Sequence, residues 1–113
     1  MANDKIGSYI GFAIKARNVL FGQYTIENYK KHVYLLIVCE SAKKNTIKSA
    51  LNLKEKFNAP LITTKGILLD DVVYKQNCKI IAITNKNLAD AILKNLNENY
   101  LIFKEENLIE QEQ

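Results

Sequence analysis

Histidine occurs once in this chain, proline once, cysteine twice, glycine four times and tryptophan not at all. These scarcities exclude a good deal of chemistry. The two cysteines, Cys39 and Cys78, have no C-x-x-C spacing and no histidine beside them, so they cannot build a zinc site. Cys39 lies in an apolar run and reads as a small buried hydrophobe. Cys78 precedes Lys79 in a loop and reads as exposed, with nothing nearby to mark a depressed pKa. The lone histidine, His32, follows Lys30-Lys31 and reads as a helix-end cap, because no serine or cysteine nucleophile is marked by its context. The glycines form no phosphate-loop motif. Asp70 and Asp71 are adjacent, so on a helix they diverge by about 100°. That makes a poor acid–base dyad, and the pair reads as a solvated helix face. No nucleophile–base constellation or metal-ligand cluster is present at a recognisable spacing, which argues against an enzyme.

Long apolar runs are also missing. The longest, Val33 to Cys39, is about a third of a membrane span. Met1-Ala2-Asn3-Asp4-Lys5 has no apolar stretch of the signal-peptide kind. The expectation is a cytoplasmic protein with no membrane contact.

What the chain does have is a core and an uneven charge. Its 113 residues are 48% hydrophobic, enough for one domain around one core. The net charge of +4 conceals a split. Residues 98–113 carry five glutamates against Lys104, net −4, so residues 1–97 carry +8, from 15 basic and seven acidic side chains. A basic body with an acidic C-terminal tail favours a polyanionic partner for the body.

Hydrophobic spacing places the elements. Ile6, Tyr9, Ile10, Ala13 and Ile14 recur at helical period, predicting a helix over about 4–16 capped by Asn3 or Asp4. Gly7 and Gly11 each cost helix stability, so a close approach of backbone or sheet is expected against them. Asn18 is suited to the left-handed conformation that ends a helix. Val19-Leu20-Phe21 reads as a brief strand, and a second helix follows over about 23–31, ending on the cations Lys30-Lys31-His32. Val33 to Cys39, apolar on both faces, reads as a central strand. The next helix carries Ile47, Ala50, Leu51 and Phe57 and is stopped by Asn58-Ala59-Pro60. Leu61 to Thr64 is a short strand, Leu68 to Val73 a short helix, Lys79 to Thr84 a strand, and Asn85 to Leu96 the last helix. This alternation predicts an α/β protein with helices on both faces of a sheet. Tyr100-Leu101-Ile102-Phe103 stands apart, apolar among acidic neighbours, and either docks on the body or contacts a partner, including a second copy.

The stretch from Ala13 to Lys31 concentrates the functional signal. A helix opening directly after Gly22 leaves its first N–H groups unpaired, a setting that suits a phosphate oxygen. Lys15, Arg17, Lys30 and Lys31 surround it in sequence. These residues alone point to a small nucleic-acid-binding domain.

Four stretches together resemble a known family. Ile10 to Arg17 followed by Gly22 is similar to an "LGLAxRAG…xxG" opening. Tyr34 to Thr46, YLLIVCESAKKNT, is similar to a hydrophobic strand, an acidic residue and "AxxNT". Ala59-Pro60 is close to "G-I/V-P", and Ile81 to Thr84 with Leu88-Ala89 is similar to "VAVTDxxFA". Over about residues 6–96 the ordered set resembles the kink-turn RNA-binding ribosomal proteins of the L-seven-Ae and L-thirty-e type, most closely the small bacterial YlxQ-like branch. The resemblance implies a three-layer α/β/α sandwich around a four-stranded mixed sheet in residues 1–97. Residues 98–113 remain as an acidic tail, partly docked or mobile.

The resemblance also implies binding of structured RNA, ribosomal or other, with no catalysis and no cofactor. Carried over, one RNA surface is Gly22, Gln23, Tyr24, Thr25 and Asn28, flanked by Lys15, Arg17 and Lys31. The other is the loop Tyr74, Lys75, Gln76, Asn77 and Cys78. The chain departs from the family where an Asn-Glu pair, which contacts sheared G·A pairs, is replaced by Tyr24-Thr25. It departs again where two glycines of "LGxxxG" are replaced by Asp70 and Tyr74. Tyr24 can stack on a base, a contact of about 1–3 kcal/mol. The alternative is a protein-interaction module that kept the fold and lost specific RNA recognition.

Overall fold

Every residue of Leu35–Val38 is buried, and this strand forms the middle of the sheet. The computed structural model describes residues 4–104. Along the chain its elements are α1 (Lys5–Lys15), β1 (Val19–Phe21), α2 (Gln23–Glu27), β2 (Leu35–Val38) and α3 (Lys44–Phe57). Then come β3 (Leu61–Thr64), α4 (Leu69–Val73), β4 (Ile80–Ile83), α5 (Lys86–Lys94) and β5 (Tyr100–Ile102). The strand order is β1-β4-β2-β3-β5. Among the described residues, only β2 and β3 run parallel; the other three pairings are antiparallel.

Alternation along the strands divides the core between the two faces of the sheet. Leu35, Ile37, Ile62, Ile81, Ile83 and Tyr100 pack with Ile6, Ile10 and Ala13 of α1, Leu69 and Val73 of α4, and Ala89 and Ile92 of α5. Leu36, Val38, Leu61, Ile80 and Ala82 pack with Ile26 of α2 and Ile47, Ala50, Leu53 and Phe57 of α3. Burying each such leucine or isoleucine contributes about 1.5–3 kcal/mol.

The sheet has five strands, one more than expected. The fifth comes from the apolar four of the acidic stretch: Tyr100, Leu101 and Ile102 pair with Thr64, Thr63 and Ile62. Tyr100 is 1% exposed and Phe103 is buried, so this segment completes both sides of the core. Residues 105–113 of the predicted tail lie outside the described residues.

Helix ends explain most other differences. The side chain of Asp4 caps α1, accepting from Gly7 N–H at 2.8 Å. The left-handed residue after α1 is Arg17 (φ 62°), not Asn18. Asn18 N–H reaches Ala13 O and Arg17 N–H reaches Ile14 O, the paired bonds of a Schellman ending. Asn58 (φ 50°) ends α3 in the same way. The second helix is shorter than predicted. Asn28 folds its own amide onto Tyr24 O at 2.8 Å and terminates α2, leaving Lys30, Lys31 and His32 beyond it. His32 therefore caps nothing; its ring meets Tyr34 edge-on at 4.4 Å.

Neither glycine of α1 is pressed by the sheet. A Cβ on Gly7 would stand 2.4 Å from the capping carboxylate of Asp4, whereas a Cβ on Gly11 would meet nothing within 4 Å. Gly11→Ala is therefore expected to raise stability by about 1 kcal/mol through helix propensity alone. In Gly7→Ala the same gain is cancelled by losing a cap of about 1 kcal/mol. Chemical denaturation of both variants checks the contrast, and equal shifts would contradict it.

Candidate nucleic-acid interface

Antiparallel pairing of β1 with β4 brings together the two surfaces that lie far apart in sequence. Gly22, directly after β1, donates its N–H to Ile80 O at 3.0 Å, at the point where β4 begins. The loop of residues 74–79 leads into that same point. Lys75 from this loop lies with Nζ 4.5 Å from the centre of the Phe21 ring, a cation–π contact that fastens loop to strand.

On the α2 side, Gly22 has φ 88° and ψ 151°, a region open essentially to glycine. Its carbonyl accepts the first helical bond, from Ile26 N–H at 3.1 Å. The N–H groups of Gln23, Tyr24 and Thr25 therefore lack partners within the helix, and no side chain caps them. With five residues in α2, these groups act as local donors rather than through a long helix dipole. Tyr24 is 73% exposed, Thr25 is exposed and Gln23 half-buried. Asn28 is placed differently, since its amide is committed to the far end of α2.

On the loop side, Tyr74, Lys75, Gln76 and Asn77 are all exposed, Tyr74 by 93%. The loop takes its shape from Asp70. Its carboxylate accepts from Asn77 N–H at 2.8 Å, its carbonyl from Lys75 N–H at 3.1 Å, and Lys79 Nζ stands 4.0 Å away. Asp70 is thus an internal anchor and not part of a solvated face. Tyr74 (φ 55°) and Asn77 (φ 60°) are both left-handed. An exposed aromatic held in that conformation carries strain of about 1 kcal/mol. Cys78, expected to be exposed, is 6% exposed, drawn inside as the loop folds around Asp70. Burial, reinforced by the charge of Asp70, pushes its thiol above the ordinary cysteine value.

Cys39 is buried as expected. Burial alone would push its thiol up, but hydrogen bonds from Ser41, Leu69 N–H and Thr64 outweigh that and hold it below the ordinary value.

The flanking cations are not all placed alike. Lys15, exposed on the last turn of α1, borders the same groove as Tyr74. Arg17 and Lys31 lie elsewhere. Asn18 O accepts from Thr84 N–H, so Arg17 adjoins the end of β4 opposite to Ile80, and Lys31 lies in the connection that leads to Tyr34, whose N–H reaches Ile83 O. Asn18 and the three residues of β1 separate Arg17 from Gly22, the strand alone spanning about 10 Å. The sequence reading missed Ser41 and Lys43. Cys39 N–H donates to Lys79 O and Lys79 Nζ to Ser41 Oγ at 2.9 Å, bringing the turn after β2 against the loop. Its signal was present in the AKKNT stretch, and Lys43 there is exposed. Among the described residues no group of three or more His, Cys, Asp or Glu side chains is placed to hold a metal, and no helix is long and apolar enough to cross a membrane.

No protein-family model and no curated protein matches the chain. A solved structure of a protein of unknown function from Bacillus halodurans is similar in fold. Its TM-score is 0.67 at 21% identity, over 80% of this chain and 94% of that one. At that identity the likeness concerns the fold alone, which in this chain is a mixed α/β arrangement of helices on a five-stranded sheet.

Proposed function

We propose that this chain binds structured RNA, ribosomal or other, in the cytoplasm and without catalysis, through the start of α2 and the loop of residues 74–79. The reading includes membership of the kink-turn RNA-binding ribosomal family and its three-layer α/β/α sandwich, with β5 added to the four family strands. The observation that carries it is the junction at Gly22 and Ile80, where unpaired N–H groups, two exposed tyrosines and Lys75 share one end of the sheet. Such a surface recognises RNA by shape and unpaired bases rather than by a groove code. With Tyr24-Thr25 in place of the G·A-reading pair, stacking and phosphate contacts supply most of the affinity. A second reading is protein interaction at the β5 edge, favoured by Leu101 and Ile102, which are 37% and 48% exposed.

The test is a salt titration of binding to a short RNA hairpin containing a sheared-G·A kink, beside the same hairpin fully paired. Contacts from Lys15, Lys43 and Lys75 to about three phosphates give a log–log salt slope of roughly −2 to −3. Lys75→Glu is expected to reduce that slope by about 1 and Arg17→Glu to change it little. Binding of neither hairpin, or equal effects of the two variants, would remove this surface from the RNA reading.

A further inference from the structure

We propose that the groove between α1 and residues 66–74 receives an amphipathic helix of a protein partner, carrying lysine or arginine along its flank. The groove has a volume of about 880 Å³. One wall is a single face of α1 followed end to end, with Gly7, Ser8, Gly11, Ile14 and Lys15 at i, i+3 and i+4 spacing. The opposite wall is apolar: Ile67, Leu68, Val72 and the ring of Tyr74. Leu68 is 45% exposed at the mouth. An eleven-residue helix is about 16 Å long, so the groove matches about three turns of a partner helix.

Two features select the occupant. Gly11 faces open space, so nothing inside the protein explains the loss of helix propensity it causes. A bare backbone at that point lets another backbone come close, which a side chain would prevent. The charge of the groove also opposes that of the protein around it. Its lining carries Asp4, Glu40 and Asp71 against Lys15, while residues 1–97 are net +8. Asp4 is committed to Gly7 N–H and Tyr100 Oη, and Glu40 to Gly66 N–H, leaving Asp71 exposed on the rim for a cation. The acidic part of the rim, away from Lys15, disfavours phosphate and favours a basic helix. The site borders the RNA surface at Lys15 and Tyr74, yet it stands on Gly11 and Asp71, which that surface does not use.

The test titrates the full chain, labelled for NMR, with a lactam-bridged 14-residue helical peptide bearing a leucine face and lysine flanks, and with its glutamate-flanked counterpart. The expected result is amide shifts at Gly7, Gly11 and Ile67 to Val72 on adding the lysine peptide. Gly11→Leu should weaken its binding at least tenfold, and Asp71→Lys should reverse the preference to the glutamate peptide. The open space at Gly11 allows Gly11→Leu to fold, which its melting temperature verifies. No binding up to millimolar peptide would overturn the proposal, as would shifts mapping to α3 or β5, or affinity unchanged in Gly11→Leu. A dimer of this chain blocked by Gly11→Leu would give the groove to a second copy and also overturn it.

Discussion

Replacing Tyr100 with alanine is expected to lower the folding free energy by about 3–5 kcal/mol, a fall in Tm of roughly 12–25 °C. Tyr100 is among the largest fully buried side chains, and it is the buried anchor of a strand whose other two residues are exposed. Its hydroxyl donates to Asp4 Oδ2 at 3.2 Å, and the other oxygen of that carboxylate caps α1. One side chain thereby joins the last strand to the first helix. Urea and thermal denaturation measure the loss; a change below about 1 kcal/mol would mean that β5 is an appendage to the sheet. Tyr100→Phe separates the ring from the hydroxyl and costs about 1 kcal/mol for the lost bond. The same site sets an alkaline limit. Burial first, then the charge of Asp4 and the bond to it, hold the Tyr100 hydroxyl well above the usual tyrosine range. In the unfolded chain it ionises near the ordinary value of about 10. The folded protein keeps the proton, so this stabilisation is fully present below pH ~10 and is lost as pH rises beyond it. Urea midpoints between pH 8 and 11 should therefore fall more steeply in the native protein than in Tyr100→Phe.

The parts of the fold legible in the sequence are those set by periodicity. Ile6, Ile10 and Ala13 recur at the spacing of a buried helix face, and Leu35 to Val38 are apolar on both faces of a strand; all seven are buried. What escaped was set by single side chains acting on the backbone. The length of α2 depends on where the Asn28 amide turns, and Lys30-Lys31-His32 imitates a helix end just as well. The burial of Cys78 depends on Asp70, seven residues before the Asn77 N–H it holds, a bond no pattern announces. The fifth strand is three residues long in an acidic setting, too short for an alternation to stand out; it forms because the edge of β3 has groups to pair. The candidate site was legible as two surfaces but not as their junction, because β1 is a short edge strand and only its antiparallel register with β4 says which cations join them. Lys75 lies there against Phe21 and Lys15 borders the adjoining groove with Tyr74, whereas Arg17 precedes the opposite end of β1, although the three look equivalent in the sequence.

The combined variant Tyr24→Ala/Tyr74→Gly is expected to weaken RNA binding by about 2–4 kcal/mol, roughly 30- to 1000-fold, if each ring stacks on a base. The two substitutions are chosen so that the fold cannot account for the result. Tyr24 is 73% exposed, so its truncation removes little packing. Tyr74 is 93% exposed and left-handed, and glycine adopts φ 55° without the strain that a tyrosine carries there. The double variant should accordingly melt no lower than the native protein while binding far less RNA, with the salt slope almost unchanged because no phosphate contact has been removed. Lys75→Glu makes the opposite pattern, losing slope as well as affinity. Glycine is the easier residue to hold at that φ. Keeping a bulky aromatic in that conformation, fully exposed, makes sense where the ring meets something outside the protein. Affinity undiminished in the double variant, with the fold intact, would leave the two tyrosines without that role and the unpaired N–H groups at the start of α2 as a feature of backbone geometry alone.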